Sequence, residues 1–338
     1  MNFWKDLKKP IMILAPMDGV TDTVFRQIVA SVADPQRQQP GLRGERGCPD
    51  VFFTEFVPVD AILSKNGVGV IKRSLQFSES ERPIIAQIWG SDPEKFYKSA
   101  KIIKKLGFDG IDINMGCPDH STIKKGACSA LIKNPKLAVE IILATIKGAG
   151  GLPVSVKTRI GFNTIDIENW TRVLLQTPIA ALTFHLRTAH EMSKVPAHWE
   201  EIKKAVNIRN ELKSDALIIG NGDIKDLKEA KDKCRKYGVD GIMIGRGIFD
   251  NIWLFNQRVD IEKVTPKQKI DLLLKHLALF KKSFGDSRHF ELMKKFVKCY
   301  VSHFNGAMDA RVNLMETKTL DELIEETKNL RRFLRNKG

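Results

Sequence analysis

Nearly continuous apolar runs of strand length recur through the first three-quarters of the chain, at 11–15, 51–55, 84–88, 110–114, 153–157, 181–185, 216–220 and 241–245. Several are rich in Ile and Val, and few polar positions alternate within them, so strands buried on both faces are expected. Segments of helical character lie between them. Asp92-Pro93-Glu94 opens one, with aspartate as the cap and proline at the first helical position, and it is expected to run to Gly107. Residues 135–148, 165–176, 199–212 and 224–237 read as others. Eight strand–helix units in about 255 residues predict a (β/α)8 TIM barrel. A doubly wound sheet would alternate in the same way, but no GxGxxG follows the first strand.

The pattern changes after Asp260. Glycine becomes scarce, and Leu272, Leu273, His276, Leu277 and Phe280 recur at helical spacing. Three or four helices up to Arg335 are expected, forming a small C-terminal all-α bundle. The expected division is a barrel over residues 1–257 and a helical domain over 258–338. The segment 34–50 interrupts the second unit. It holds three prolines, three glycines, three arginines and Cys48, and it reads as an exposed loop or hairpin.

Polar residues gather where the strands end, the face on which such barrels carry their active sites. The first strand runs into Pro16-Met17-Asp18-Gly19, and the second ends near Thr54-Glu55. The third carries Gln87, and the fourth leads through Asn114 to Cys117. The fifth carries Lys157 and Arg159, and the sixth His185 and Arg187. The last two run into Gly220-Asn221-Gly222-Asp223 and Gly245-Arg246-Gly247. Stability alone does not require a polar group at all eight ends. The two glycine-containing loops let backbone N–H groups approach an anion, and Arg246 adds charge, so a phosphate site is expected there. Lys157 sits in an apolar strand and needs a polar partner, either a Schiff-base carbonyl or an electron-rich cofactor ring. Gln87 suits the edge of a heteroaromatic ring, or it is a satisfied buried amide. Cys117, between glycine and proline, is a chemical thiol or a packed structural one.

Composition narrows the partners. The 338 residues are 43% hydrophobic, which suffices for a real core. The net charge is +15, and residues 258–338 supply +7 of it, from 18 Lys/Arg against 11 Asp/Glu. Such an excess attracts polyanions, nucleic acid above all, unless it serves only solubility. Five scattered cysteines without CxxC spacing, and the lack of a long apolar stretch in 1–17, predict a reduced cytoplasmic protein without a membrane segment. No His/Cys cluster has zinc-site spacing, so no metal is expected. A monomer is the expected state.

Together, Leu14-Ala15-Pro16-Met17-Asp18-Gly19-Val20-Thr21-Asp22, Asn114-Met115-Gly116-Cys117-Pro118, Val156-Lys157-Thr158-Arg159-Ile160-Gly161, His185-Leu186-Arg187-Thr188, Asn221-Gly222-Asp223-Ile224 and Gly245-Arg246-Gly247 occur in the order seen in tRNA-dihydrouridine synthases. The chain resembles a bacterial member of that family over nearly all of its first 255 residues. The resemblance implies an FMN enzyme that uses NADPH as a transient reductant and reduces the C5–C6 double bond of selected tRNA uridines. It implies that Pro16, Met17 and Asp18 line the flavin, that Gln87 and Lys157 contact its ring, and that His185 lies near the cofactor or its phosphate. Asn221, Gly222, Asp223, Gly245 and Arg246 would hold the phosphate. Cys117 would be the general acid, and Asn114 and Arg187 would help place uracil or cofactor. Leu186 stands where the family often has glycine, and His120, Ser121 and the segment 34–50 have no counterpart in the pattern.

An ordinary thiol is mostly protonated at neutral pH and can donate, so Cys117 need not be a low-pKa nucleophile in that chemistry. Three other readings compete. An FMN barrel acting on a free metabolite, in the manner of dihydroorotate oxidation, leaves the basic tail unexplained. A Schiff-base aldolase would use Lys157. An inactive barrel that only binds RNA would hold no flavin.

Overall fold

The computed structural model describes residues 2–32 and 47–335. Nine parallel strands form one sheet: β1 Ile11–Leu14, β2 Phe52–Phe53, β3 Val57–Pro58, β4 Ile84–Trp89, β5 Gly110–Met115, β6 Val154–Arg159, β7 Ala181–His185, β8 Leu217–Asn221 and β9 Gly241–Ile244. Their order is β1-β9-β8-β7-β6-β5-β4-β2, with β3 beside the end of β4. The ring closes where Ile13 bridges Val51 in parallel. There the Asp50 N–H donates to the Met12 carbonyl at 2.7 Å. Eight of these strands are the eight expected. The short β3 was not, because two residues carry no periodicity.

Two apolar layers bury the sheet. Ile11, Ile13, Val51, Phe53, Ile85, Ala181, Leu217, Ile219 and Met243 fill the barrel interior, together with Phe3, Trp4 and Leu7 from before β1. The residues between them along each strand face outward into the larger layer beneath the helices. This two-sided burial is the reason the runs read as continuously apolar.

Helix ends follow local chemistry. Asp92 accepts from the Glu94 and Lys95 N–H groups and starts Pro93–Lys105. Asn134 caps Pro135–Ala149, which stops at Gly150 in the left-handed region, φ 53°. Asp226 caps Leu227–Tyr237. Past the barrel, Thr265 and Gln268 form a capping box that opens Pro266–Phe284. Glu291–Lys294, Val297–Tyr300, Ala307–Glu316 and Leu320–Arg335 follow. The tail thus holds five helices, two of them single turns, rather than three or four.

The tail is tied to the barrel. Pro266–Phe284 packs on the barrel helix Thr23–Ser31, and the Phe25 and Phe296 rings stack at 4.9 Å. Most of the expected loop over 34–50 lies outside the described residues. Among the described residues, no helix is long and apolar enough to cross a membrane.

Candidate functional site

Strand register assembles the polar residues into one belt above the apolar interior. Gln87 pairs with Asp112, Asp112 with Ser155, Asn114 with Lys157, Arg159 with His185, and His185 with Asn221. Side chains alternate along a strand, so Asp112 and Asn114 share a face, as do Ser155, Lys157 and Arg159.

Cys117 follows β5 on a turn fastened by Asn114. The Asn114 carboxamide oxygen accepts from the Gly116 N–H at 3.0 Å and the Cys117 N–H at 2.9 Å. Its Nδ2 donates to Gln87 at 3.1 Å, and Gln87 in turn donates to Asp112 at 2.7 Å. Asn114 was expected to touch substrate or cofactor. In the structure it is buried and holds the thiol's backbone. Gln87 is 0% exposed, and its amide bridges Asp112 and Asn114.

The neighbouring Cys128, before the Asp119 backbone and Thr122, is the largest influence pulling the Cys117 pKa below the ordinary thiol range. Cys128 moves in the opposite direction, upward. Donors stabilise the thiolate, so Cys117 is a stronger acid than a free cysteine.

Lys157 lies on β6 beside Asn114. Burial, then the neighbouring Arg159, lower its ammonium to about 8. No hydrogen bond or ion pair within 4.0 Å engages it among the described residues. Asp112, pushed up to about 6 by burial, is the carboxylate whose field reaches it. His185 is held well below its ordinary pKa by burial and by Lys157, Arg159, Arg187 and Arg246. A neutral imidazole ringed by four cations marks a region of positive potential.

The loops after β8 and β9 complete that region. Gly222 adopts φ 134° and Asp223 φ 50°. A Cβ on Gly222 would stand 2.8 Å from the Ala197 Cβ, so the position admits only glycine. Asn221 donates to the Met243 carbonyl at 2.8 Å. Arg246 is exposed and lies 3.5 Å from Asp223. Gly245 lies beside Met17, since a Cβ there would be 3.8 Å from its sulfur, so the β1 and β9 loops adjoin. The β1 loop is braced: Met17 N–H donates to Thr21 at 2.8 Å and Gly19 N–H to Glu55 at 2.6 Å. Burial and then Glu55 raise the Asp18 carboxyl. Pro16 is half-buried on the same loop.

Arg187 was expected near uracil or cofactor. It is 2% exposed and bonds to the Val195 carbonyl, His185 and Asp223. Its guanidinium is engaged in holding the β7 and β8 loops together. Asp223, expected at the phosphate, is engaged by Arg187, the Ala197 N–H and Arg246. Arg159 is a further strut, bonded to the Gly116, Thr188 and Met192 carbonyls. Sequence reasoning missed Cys128, Thr122, Asp112 and Arg288. Asp112 left a signal, a carboxylate in the middle of an apolar strand. Cys128 and Arg288 left none, because only folding brings them to the site.

The residues fit a planar anionic cofactor with a phosphate. A half-buried ammonium with no hydrogen bond or ion pair among the described residues, a cation-ringed imidazole and a glycine-only loop beside an exposed arginine are the donor set such a group needs.

The profile of the family described as Dihydrouridine synthase (Dus) matches residues 13–337. A protein named "Probable tRNA-dihydrouridine synthase" from Staphylococcus aureus (strain COL) is 45% identical over 323 residues, covering 95% of this chain and 93% of its own. "Probable tRNA-dihydrouridine synthase 2" of Bacillus subtilis (strain 168) is 43% identical over 324 residues, covering 95% and 94%. Among solved structures, 2-naphthoyl-CoA reductase superposes with a TM-score of 0.55 at 11% identity, over 75% of this chain and 52% of that one. Histamine dehydrogenase from Rhizobium sp. 4-9 gives 0.54 at 11%, over 79% and 48%, so these two share the fold. With a profile match from β1 almost to the C-terminus, and relatives aligned over nearly their whole length, the chain belongs to the dihydrouridine synthase family.

Proposed function

We propose that the chain is a tRNA-dihydrouridine synthase that reduces the C5–C6 double bond of uridine in tRNA, with FMN as cofactor and NADPH as reductant. The observation that carries the reading beyond family membership is the pairing in one barrel mouth of Cys117 with Lys157, which has no hydrogen bond or ion pair among the described residues. Bound FMN supplies the hydride delivered to uracil C6. Lys157 would neutralise charge on the flavin ring. Asn221, Gly222 and Gly245, with Arg246, would hold the phosphate, and Pro16, Met17 and Asp18 would line the ring's edge. Asn114 and Arg187 act here as positioning residues, the first for Cys117 and the second for His185 and Asp223.

Cys117 gives its proton to C5 on the face opposite the hydride. The S–H bond breaks, the C–H bond forms, and a thiolate remains on Cys117. The uridine must leave its stack to reach the mouth, so phosphate contacts have to offset unstacking. The excess of +7 over residues 258–338 suits that task and predicts strong salt dependence. A barrel acting on a free metabolite is disfavoured by the same charge.

Cys117→Ala in the FMN-loaded protein is expected to keep its flavin and the flavin's reduction by NADPH. It should lose uridine reduction by about 100-fold or more in a single turnover with unmodified tRNA. Near-normal product formation would remove Cys117 from the acid role.

A further inference from the structure

Of the five tryptophans, Trp4, Trp170, Trp199 and Trp253 pack into the two apolar layers. Trp89 packs into neither among the described residues, although it closes a strand whose other residues are all buried. It ends β4 on the row that starts at Ile85 in the barrel interior and continues through Gln87, because side chains two apart share a face. Gln87 bonds across the sheet to Asp112 and Asn114. Trp89 therefore stands one step, about 7 Å, above that belt, at the barrel mouth. It is half-buried, and its indole N–H donates to no group among the described residues. The Lys125 ammonium lies over the ring, 5.5 Å from its centroid. Lys125 caps the short helix His120–Lys124 in the loop that follows Cys117. At Gly126 that loop runs beside Ser91, since a Cβ there would be 4.0 Å from the Ser91 Cβ. The ring is thus next to the segment that carries the thiol.

We propose that Trp89 is a stacking platform for the nucleobase adjoining the reactive uridine in the RNA, with the base on one face of the indole and Lys125 on the other. The inference rests on the uridine-reducing reading. A uridine that leaves its stack strips one face from the base beside it, and an aromatic side chain at the mouth replaces the lost contact. Every base has a π-face, so Trp89 contributes affinity and register rather than sequence choice. Core packing does not account for a large ring left outside both apolar layers. The adenine of NADPH offers the same planar chemistry. RNA is favoured because the ring and Lys125 adjoin the Cys117 loop, which uracil must meet, and because the chain's +15 charge suits a polyanion.

The test uses the FMN-loaded protein with Trp89→Ala and Trp89→Phe. Unmodified tRNA is titrated by filter binding at several salt concentrations, and flavin reduction by NADPH is followed without tRNA. Trp89→Ala should bind tRNA about tenfold more weakly, and Trp89→Phe should recover most of the loss. The slope of log affinity against log salt should match the parent's, because a stack releases no counterions. Single-turnover uridine reduction should show the same rise in half-saturating tRNA, with the rate at saturation kept within about twofold. A merely structural role would disturb the basic rim and flatten the salt slope, or cost the protein its flavin, and either result overturns the stacking role. Unchanged tRNA affinity in Trp89→Ala beside an active parent overturns it as well. Slower flavin reduction with unchanged tRNA affinity does so by assigning the ring to the NADPH adenine. A parent protein that binds tRNA without forming dihydrouridine overturns the underlying reading, and the inference with it.

Discussion

At the scale of residues, charge placement decides what each group can do. Lys157 and Arg159 lie two apart on one strand, yet their fates differ. Arg159 donates to three carbonyls and is a strut. Lys157 has no such partner among the described residues and points its charge into the mouth. Replacing it with methionine removes a half-buried charge that has no hydrogen bond or ion pair among the described residues, so folding should not suffer. Lys157→Met should bind FMN about 10- to 100-fold more weakly, the loss of one charged contact. Flavin fluorescence titration reads this directly, and unchanged affinity would assign Lys157 elsewhere. The residue pattern showed that Lys157 needed a partner. It could not show that Gln87 would be covered while Lys157 stayed open, since both sit in apolar strands. The difference arises because Gln87 meets Asp112 and Asn114 across the sheet.

At the scale of elements, the helix Pro266–Phe284 carries a buried histidine onto the barrel. His276 Nδ1 lies 2.9 Å from the Tyr300 hydroxyl, and its ring contacts Phe25 and Phe296. Burial lowers its pKa to about 3. A histidine held neutral in the folded state loses stability as pH falls below its unfolded value near 6.5, because only the unfolded chain then takes up the proton. The slope is about 1.4 kcal/mol per pH unit until the folded pKa is reached. Asp22 and Asp112, both raised to about 6, act with the opposite sign over the acid range. His276→Gln should therefore flatten the acid limb relative to the parent, leaving the carboxylate contribution. Urea titrations at pH 7, 6 and 5 measure it; parallel stability profiles would contradict the account. The helix itself was legible from its apolar spacing, and its capping box from Thr265 and Gln268. The break of 291–300 into two single turns was not, since it has the composition of one helix.

At the scale of the whole molecule, the tail and the catalytic rim are one unit. Arg288 donates to Glu55 at 2.7 Å and lies 3.4 Å from Asp22, both side chains being 7% exposed. Lys295 donates to the Gly19 carbonyl at 2.9 Å. The loop after β1 is thus held from the tail as well as from β2. Arg288→Met leaves two buried carboxylates without their cation and should cost about 3 kcal/mol or more. Hydrogen exchange over 288–300 should accelerate, and tRNA reduction should fall more than FMN binding. A variant with native melting temperature and exchange would show the clamp to be idle. The sequence by itself determined the eight strands, the helical tail, the basic excess and the set of polar strand ends. Two-sided burial writes apolar runs into each strand, and capping and charge are local. Only the tertiary structure decided that Gln87 bridges Asp112 and Asn114, that Arg187 bonds to Val195 and Asp223, and that Arg288 reaches Glu55. Those are contacts between segments distant along the chain or across the sheet, and no residue carries a local mark of the partner it will meet.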